Sequence, residues 1–166
     1  MLDYTDYLDK LKEMVIATKL FDEDEIDYLK SCGAVVDYVY KRQIRPNIVN
    51  PTILYNYPAC LVPLARRSDA DSRVIEMFQF LINGEELCKA YSELVDPDVQ
   101  RETLEDQAKA KANGDEEAMD IDEDFLLAME HGMPPMSGLG MGIDRLLVML
   151  YEQPSIRDVV LFPIMK

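Results

Sequence analysis

Several chemistries are excluded by what this chain of 166 residues has little of. It carries one histidine, His131, and three cysteines, Cys32, Cys60 and Cys88, none at metal-ligand spacing. An odd, scattered set of thiols predicts neither a disulfide framework nor a zinc site, and these are expected to be reduced and mostly buried. His131 precedes Gly132 at an expected helix end, so it reads as a capping or turn residue with no catalytic part. Cations are scarce: 17 Lys and Arg stand against 32 Asp and Glu, a formal net charge of -15. Phosphate contacts need clustered Lys and Arg, which opposes nucleic-acid binding through the body of the chain. The only basic cluster is short, Lys41-Arg42 with Arg45, then Arg66-Arg67. No apolar run approaches the length of a membrane span, and the start Met1-Leu2-Asp3-Tyr4 is too acidic for a signal peptide, so a cytoplasmic protein is expected. Internal repeats and low-complexity segments are also lacking.

What is present is enough for a core. Hydrophobic residues make up 48% of the chain, the length of one ordinary domain. From Asp3 to Lys19 the residues Tyr4, Tyr7, Leu8, Leu11, Met14 and Val15 recur at helical spacing, predicting an amphipathic helix. Asp22 can cap a second helix through Ile26 and Leu29, ending near Gly33. Ala34 to Ile44 favours a strand by propensity alone. Thr52 to Tyr55 reads as a strand closed by Pro58, and Ser68 to Arg73 as a loop. Glu76–Ile82 and Glu85–Ser92 are β-rich runs joined by Asn83-Gly84, a two-residue hairpin signal. Asp96-Pro97 starts a helix through Arg101, Leu104 and Ala108 that stops at Asn113-Gly114. Asp122 caps another, with Phe125, Leu126 and Met129 inward. The acidic run Asp115 to Asp124 reads as a solvated face, because nothing spaces its carboxylates for one cation. Val159-Val160-Leu161-Phe162 reads as a buried strand.

The organising stretch is Gly138-Leu139-Gly140-Met141-Gly142-Ile143-Asp144-Arg145, followed by an apolar run to Leu150. Alternating glycines let backbone approach a ligand or a neighbouring strand closely, and Leu146, Leu147, Met149 and Leu150 can face a core on the helix that follows. Arg145 falls in its first turn, where the helix dipole prefers anions, so the guanidinium is placed to serve something bound beside it, a phosphate being the obvious candidate. Spacing alone leaves a second reading open, a close-packed bend that binds nothing.

This stretch resembles motif 3 of the class II aminoacyl-tRNA synthetases. Ala90-Tyr91-Ser92-Glu93-Leu94, Gly114-Asp115-Glu116-Glu117-Ala118-Met119, Gly132-Met133-Pro134-Pro135 and Ser155-Ile156-Arg157-Asp158-Val159-Val160-Leu161-Phe162-Pro163 narrow the resemblance to the lysyl-tRNA synthetases, from about Asn50 to the last residue. It implies an α+β fold: a partial class II antiparallel sheet with flanking helices, in which residues 46–166 are the C-terminal part of the catalytic domain and 1–45 a helical insertion or motif 2 remnant. It also implies a helix before Asn50-Pro51-Thr52, against the strand propensity of Ala34 to Ile44.

The two-residue turn pairs Ile82 with Glu85, Leu81 with Glu86 and Gln79 with Cys88, putting Gln79 and Glu86 on one face as diagonal neighbours, about 7 Å apart at Cα. In the resembled family both positions hold glutamate and bind Mg²⁺ against ATP; glutamine here brings an oxygen but no charge, so weaker metal binding is expected. By the same resemblance Glu93 faces the ammonium of substrate lysine, Tyr91 and Ser92 line the pocket, and Arg145, with Gly138, Gly140 and Gly142, receives ATP. Lys89 stands where the family has asparagine beside the substrate, and a fixed positive charge there opposes lysine binding. Arg145 and Glu86 are expected on opposite walls of one cavity. From spacing alone, the preferred reading of Glu86 and Glu93 is solvated strand carboxylates and of Lys89 an edge charge; the family words reverse that preference.

Motif 1 and motif 2 have no match beyond a faint likeness at Tyr4-Thr5-Asp6-Tyr7 with Asp9. The reaction implied is lysine plus ATP to lysyl-adenylate, then lysyl-tRNA. The chain is not expected to catalyse it alone, and tRNA is a partner only in a complete enzyme. The alternative is a catalytically degenerate synthetase-like binding or regulatory protein. Half a catalytic sheet leaves an open edge, which predicts a homo-oligomer or a partner covering it.

Overall fold

The computed structural model describes residues 4–115 and 118–164. Asp3, the expected start of the first helix, and Glu116 and Glu117 of the acidic run lie outside the described residues. The fold is α+β, an open four-stranded antiparallel sheet of order β1-β2-β3-β4 with flanking helices.

Three short helices come first. Helix α1 (Tyr4–Ala17) turns Leu8, Leu11 and Val15 onto a small core of Phe21, Ile26, Leu29 and Val35, while Tyr7 and Met14 of the same stripe stay exposed. Helix α2 (Glu23–Asp27) starts at Asp22, whose N–H donates to the Glu25 carboxylate at 3.0 Å. It stops short of Leu29 because Ser31 nucleates a new helix, its hydroxyl accepting from the Ala34 N–H at 3.1 Å. Helix α3 (Cys32–Val39) therefore contains Gly33, a glycine of close approach and not a stop signal: a Cβ there would lie 2.9 Å from the Cys60 carbonyl oxygen. The segment continues as a π-helical turn (Tyr40–Ile44) and a 3-10 turn (Arg45–Asn47) in which Pro46 ends the helical run. Packing of α3 against α1 overrides the strand propensity of its β-branched residues.

The sheet comprises β1 (Thr52–Pro58), β2 (Val74–Ile82), β3 (Glu85–Ser92) and β4 (Ser137–Met141). Asn83 (φ 51°) and Gly84 (φ 74°) form the hairpin turn between β2 and β3 with the mirror-image geometry that suits strand twist. The expected register holds only near that turn. Ile82 pairs with Glu85 and Leu81 with Glu86, but a bulge follows, so Phe80 pairs with Cys88 and Gln79 with Lys89. Leu87 is the extra residue, and it and Cys88 are both buried, which a regular alternation forbids.

Two apolar rows cross one face of the sheet from strand to strand: Ile53, Phe80, Cys88, Met141 and Tyr55, Phe78, Ala90, Leu139. Ile53, Tyr55, Leu139 and Met141 at their ends are exposed. On the other face, a second small core of Tyr57, Ala65, Ile75 and Met77 is covered from the loop between β1 and β2. A third, of Leu104, Leu126 and Met129, joins α4 (Pro97–Ala112) to α5 (Glu123–Glu130). Asp96 caps α4 by accepting from the N–H groups of Asp98 and Val99, and Asp122 caps α5 by accepting from Phe125 at 2.9 Å. His131 closes α5, its Nδ1 2.7 Å from the Leu127 carbonyl oxygen. The acidic run is tied to α4 by ion pairs from Arg101 to Glu123 and Lys111 to Asp120.

Three further expectations fail. Helix α6 (Ile143–Leu150) buries none of its residues, and Leu150 is exposed, because among the described residues the helix packs mainly on β3 and a 3-10 turn (Ile156–Asp158). Val159 to Phe162 forms no strand; Leu161 and Phe162 are 89% and 90% exposed, since a strand needs a neighbouring edge and this segment meets none among the described residues. Of the three free thiols only Cys88 is buried, and Cys60 is exposed in the turn after β1.

Candidate functional site

The face opposite the apolar rows carries nearly all the residues with chemistry. Directly opposed residues of a sheet share a face, so Leu54, Gln79, Lys89 and Gly140 form one row and Met77, Tyr91 and Gly138 the next. Glu93 follows just beyond β3. Its backbone is fixed from both sides, by an antiparallel bridge to Ala65 and by its own N–H donating to the Met136 carbonyl at 3.0 Å. The Glu93 carboxylate lies over Gly138, in the space a Cβ at that position would take. Burial pushes its pKa upward, and no Lys or Arg neutralises it among the described residues. It is a partly buried carboxylate without a cationic side-chain partner among the described residues.

The two glycines of β4 on this face are there for different reasons. Gly138 makes room for Glu93. At Gly140 a Cβ would meet nothing within 4 Å, and its φ is not positive, so neither packing nor backbone conformation calls for glycine there. Gly140 and Lys89 both face open solvent on this edge of the sheet.

Arg145 is positioned from the same strand. Gly142 caps α6 and donates its N–H to the Leu87 carbonyl at 3.0 Å, which brings the helix start against β3. The Arg145 guanidinium then donates from Nη1 to the Glu86 carbonyl at 2.7 Å. The pair expected on opposite walls of a cavity are thus immediate neighbours. Arg145 remains exposed and has no carboxylate partner among the described residues.

Gln79 and Glu86 do meet, and more intimately than diagonal neighbours. The Gln79 Nε2 donates to Glu86 Oε2 at 2.5 Å. The Gln79 Oε1 accepts from the hydroxyls of Tyr40 (3.0 Å) and Tyr57. Gln79 and Tyr57 are 9% and 7% exposed, and burial drives the Tyr57 hydroxyl far up in pKa, so it stays a donor. This set does not fit a cation held between residues 79 and 86, because an amide N–H stands where a second oxygen ligand would be needed. Sequence reasoning missed Tyr40 and Tyr57. Their signal was Gln79 itself, a polar residue at an inward position of the run Val74 to Ile82, which once buried must find partners.

A family model described as tRNA synthetases class II (D, K and N) matches residues 6–166, and the chain belongs to that family. Its curated relatives narrow the likeness to one amino acid. The lysine–tRNA ligase of Thermosynechococcus vestitus is 42% identical over 151 residues, 91% of this chain and 30% of that protein. The lysine–tRNA ligase of Nostoc punctiforme is 42% identical over 165 residues, 99% of this chain and 29% of its own length. That of Moorella thermoacetica reaches 46% over 134 residues, 81% of this chain and 27% of its own. The chain therefore spans less than a third of the curated relatives it matches.

Proposed function

We propose that this chain forms the lysine- and ATP-reading face of a lysine–tRNA ligase catalytic domain. The observation that carries the reading is Glu93, partly buried, unpaired among the described residues and lodged over Gly138 on the face that also holds Lys89 and Glu86, with Arg145 bonded to the Glu86 carbonyl. In this reading Glu93 receives the ammonium of lysine through a charge-assisted hydrogen bond, with Tyr91 beside it as pocket wall. Arg145 and the glycines of β4 and Gly142 receive ATP. The lysine carboxylate oxygen attacks the α-phosphorus, the bond to pyrophosphate breaks, and lysyl-adenylate forms. A terminal tRNA hydroxyl then takes the lysyl group and AMP leaves. These steps belong to the complete protein, and tRNA is its partner.

No helix among the described residues is long and apolar enough to cross a membrane, in keeping with a cytoplasmic site of action. The free edges of β1 and β4 and the exposed apolar rows call for a second copy or the rest of the domain to cover them.

The test is calorimetry on the 166-residue chain with L-lysine, and with L-norleucine, which has the same backbone and no ammonium. Lysine should bind measurably and norleucine should not, and Glu93→Gln should erase the difference. Equal binding of the two, or no effect of the substitution on lysine, refutes the reading. No binding of either favours the catalytically degenerate module.

A further inference from the structure

The hydrogen bonds around Gln79 bear on how the site handles phosphate. An amide oxygen has two lone pairs, and both are taken at Gln79, by Tyr40 and Tyr57. The amide nitrogen faces Glu86, as it must, because an ionised carboxylate only accepts. Gln79 thus has no lone pair to offer a metal, and Glu86 is already held in place by a donor. Lys89 is a fixed positive charge on this face. It is the direct cross-strand partner of Gln79 and of Gly140, and its side chain is exposed without an ion-pair partner. Gln79, Glu86 and Lys89 together sum to zero charge, so a dication lodged among them would be uncompensated. The side next to Lys89 is the open volume at Gly140. Arg145 is bonded to the Glu86 backbone carbonyl, so this part of the sheet carries two cations without carboxylate partners among the described residues, Lys89 and Arg145.

We infer that Gln79 and Lys89 together replace a protein-held divalent cation: the amide orients Glu86 by hydrogen bonding, and the Lys89 ammonium meets the polyphosphate directly. Polyphosphate binding here is then independent of Mg²⁺. Gln79 is a positioning residue, acting through Glu86, and Lys89 a binding residue. The polyphosphate half rests on the proposed function, whereas the absence of a cation between residues 79 and 86 rests on the geometry alone.

Two sets of measurements on the 166-residue chain separate these halves. With metal alone, Mn²⁺ should give no saturable paramagnetic broadening of the Gln79 side-chain amide signals in the wild type. Gln79→Glu should place two carboxylates together and create saturable broadening at Glu86, and its melting temperature should rise with Mg²⁺ while that of the wild type does not. Saturable Mn²⁺ binding by the wild type that Glu86→Gln abolishes overturns the inference. With ATP, affinity should be the same in Mg²⁺ and in EDTA, and Lys89→Gln should weaken it about tenfold in both. An affinity that collapses in EDTA, or one indifferent to Lys89→Gln, overturns it too. If ATP binds under no condition, the proposed function falls, and the metal-alone measurements still decide the geometry. Should Gln79→Glu not fold, the wild-type and Glu86→Gln titrations suffice.

Discussion

A methyl group added at Gly140 separates two reasons for having glycine in a strand. Nothing lies within 4 Å of the Cβ position, and among the glycines only Gly84, Gly114 and Gly132 have positive φ, so alanine fits the backbone without strain. Removing glycine restricts the unfolded chain, which should stabilise the protein by about 0.4–1 kcal/mol. For a chain of this size that is a rise in Tm of roughly 1–4 °C. Gly140 shares its face with Lys89, however, and its open side is the volume assigned to the ligand. A methyl there displaces the polyphosphate from Lys89 and costs a charge-assisted contact of about 1.5–3 kcal/mol, or roughly 10–100-fold in ATP affinity. Differential scanning calorimetry and ATP titration on the same preparation read both effects. A higher Tm with unchanged ATP affinity would refute the reasoning, because the glycine would then be idle in the fold and in binding alike. Gly138→Ala supplies the contrast. Its Cβ collides with the Glu93 carboxylate, the end of a flexible side chain, so lysine binding should fall and ATP binding should not.

Three further outcomes follow from single sites. Glu93 has its pKa raised above the ordinary 4.5 by burial, so its ionised form is disfavoured in the folded state and stability falls as pH climbs through that raised value. Glu93→Gln should therefore melt higher than wild type at pH 7, with the gap closing below pH 4.5; a pH-independent gap would show that desolvation is not the cause. Gly84 has φ +74° and a Cβ there would lie 3.4 Å from Pro46 Cα, so Gly84→Ala should cost about 1–2 kcal/mol in urea unfolding, and a neutral result would mean the turn is not the one described. Leu139 is exposed at the end of an apolar row, and Leu139→Lys should shift sedimentation toward monomer if that face joins two copies; a wild-type chain that is monomeric at high concentration removes the premise.

Local chemistry was legible in the sequence. Asn83-Gly84, Asp96-Pro97 and Asp122 each act through atoms two or three residues away, and each does in the structure what those residue types do in isolation. The family words placed a helix over Ala34 to Ile44, where propensity pointed the other way; the structure has α3 at Cys32–Val39 followed by helical turns to Asn47, because burial against α1 outweighs a preference worth about 1 kcal/mol at most. The failures are contacts made at a distance. The bulge at Leu87 was foreshadowed by two adjacent apolar residues, Leu87 and Cys88, but alternation was counted from the turn as if unbroken. Val159 to Phe162 has the composition of a strand and none of the hydrogen bonds, since composition cannot create an edge to pair with. The partners of Gln79 come from 39 and 22 residues upstream, Tyr40 from the helical segment and Tyr57 from β1. That pairing also ties the helical segment to the site. Tyr40 is the one residue of the segment before residue 46 that hydrogen-bonds into this cluster among the described residues, so truncation at residue 45 would free the Gln79 oxygen it occupies. The helices are thus part of the reason Gln79 presents its nitrogen, and not its oxygen, to Glu86.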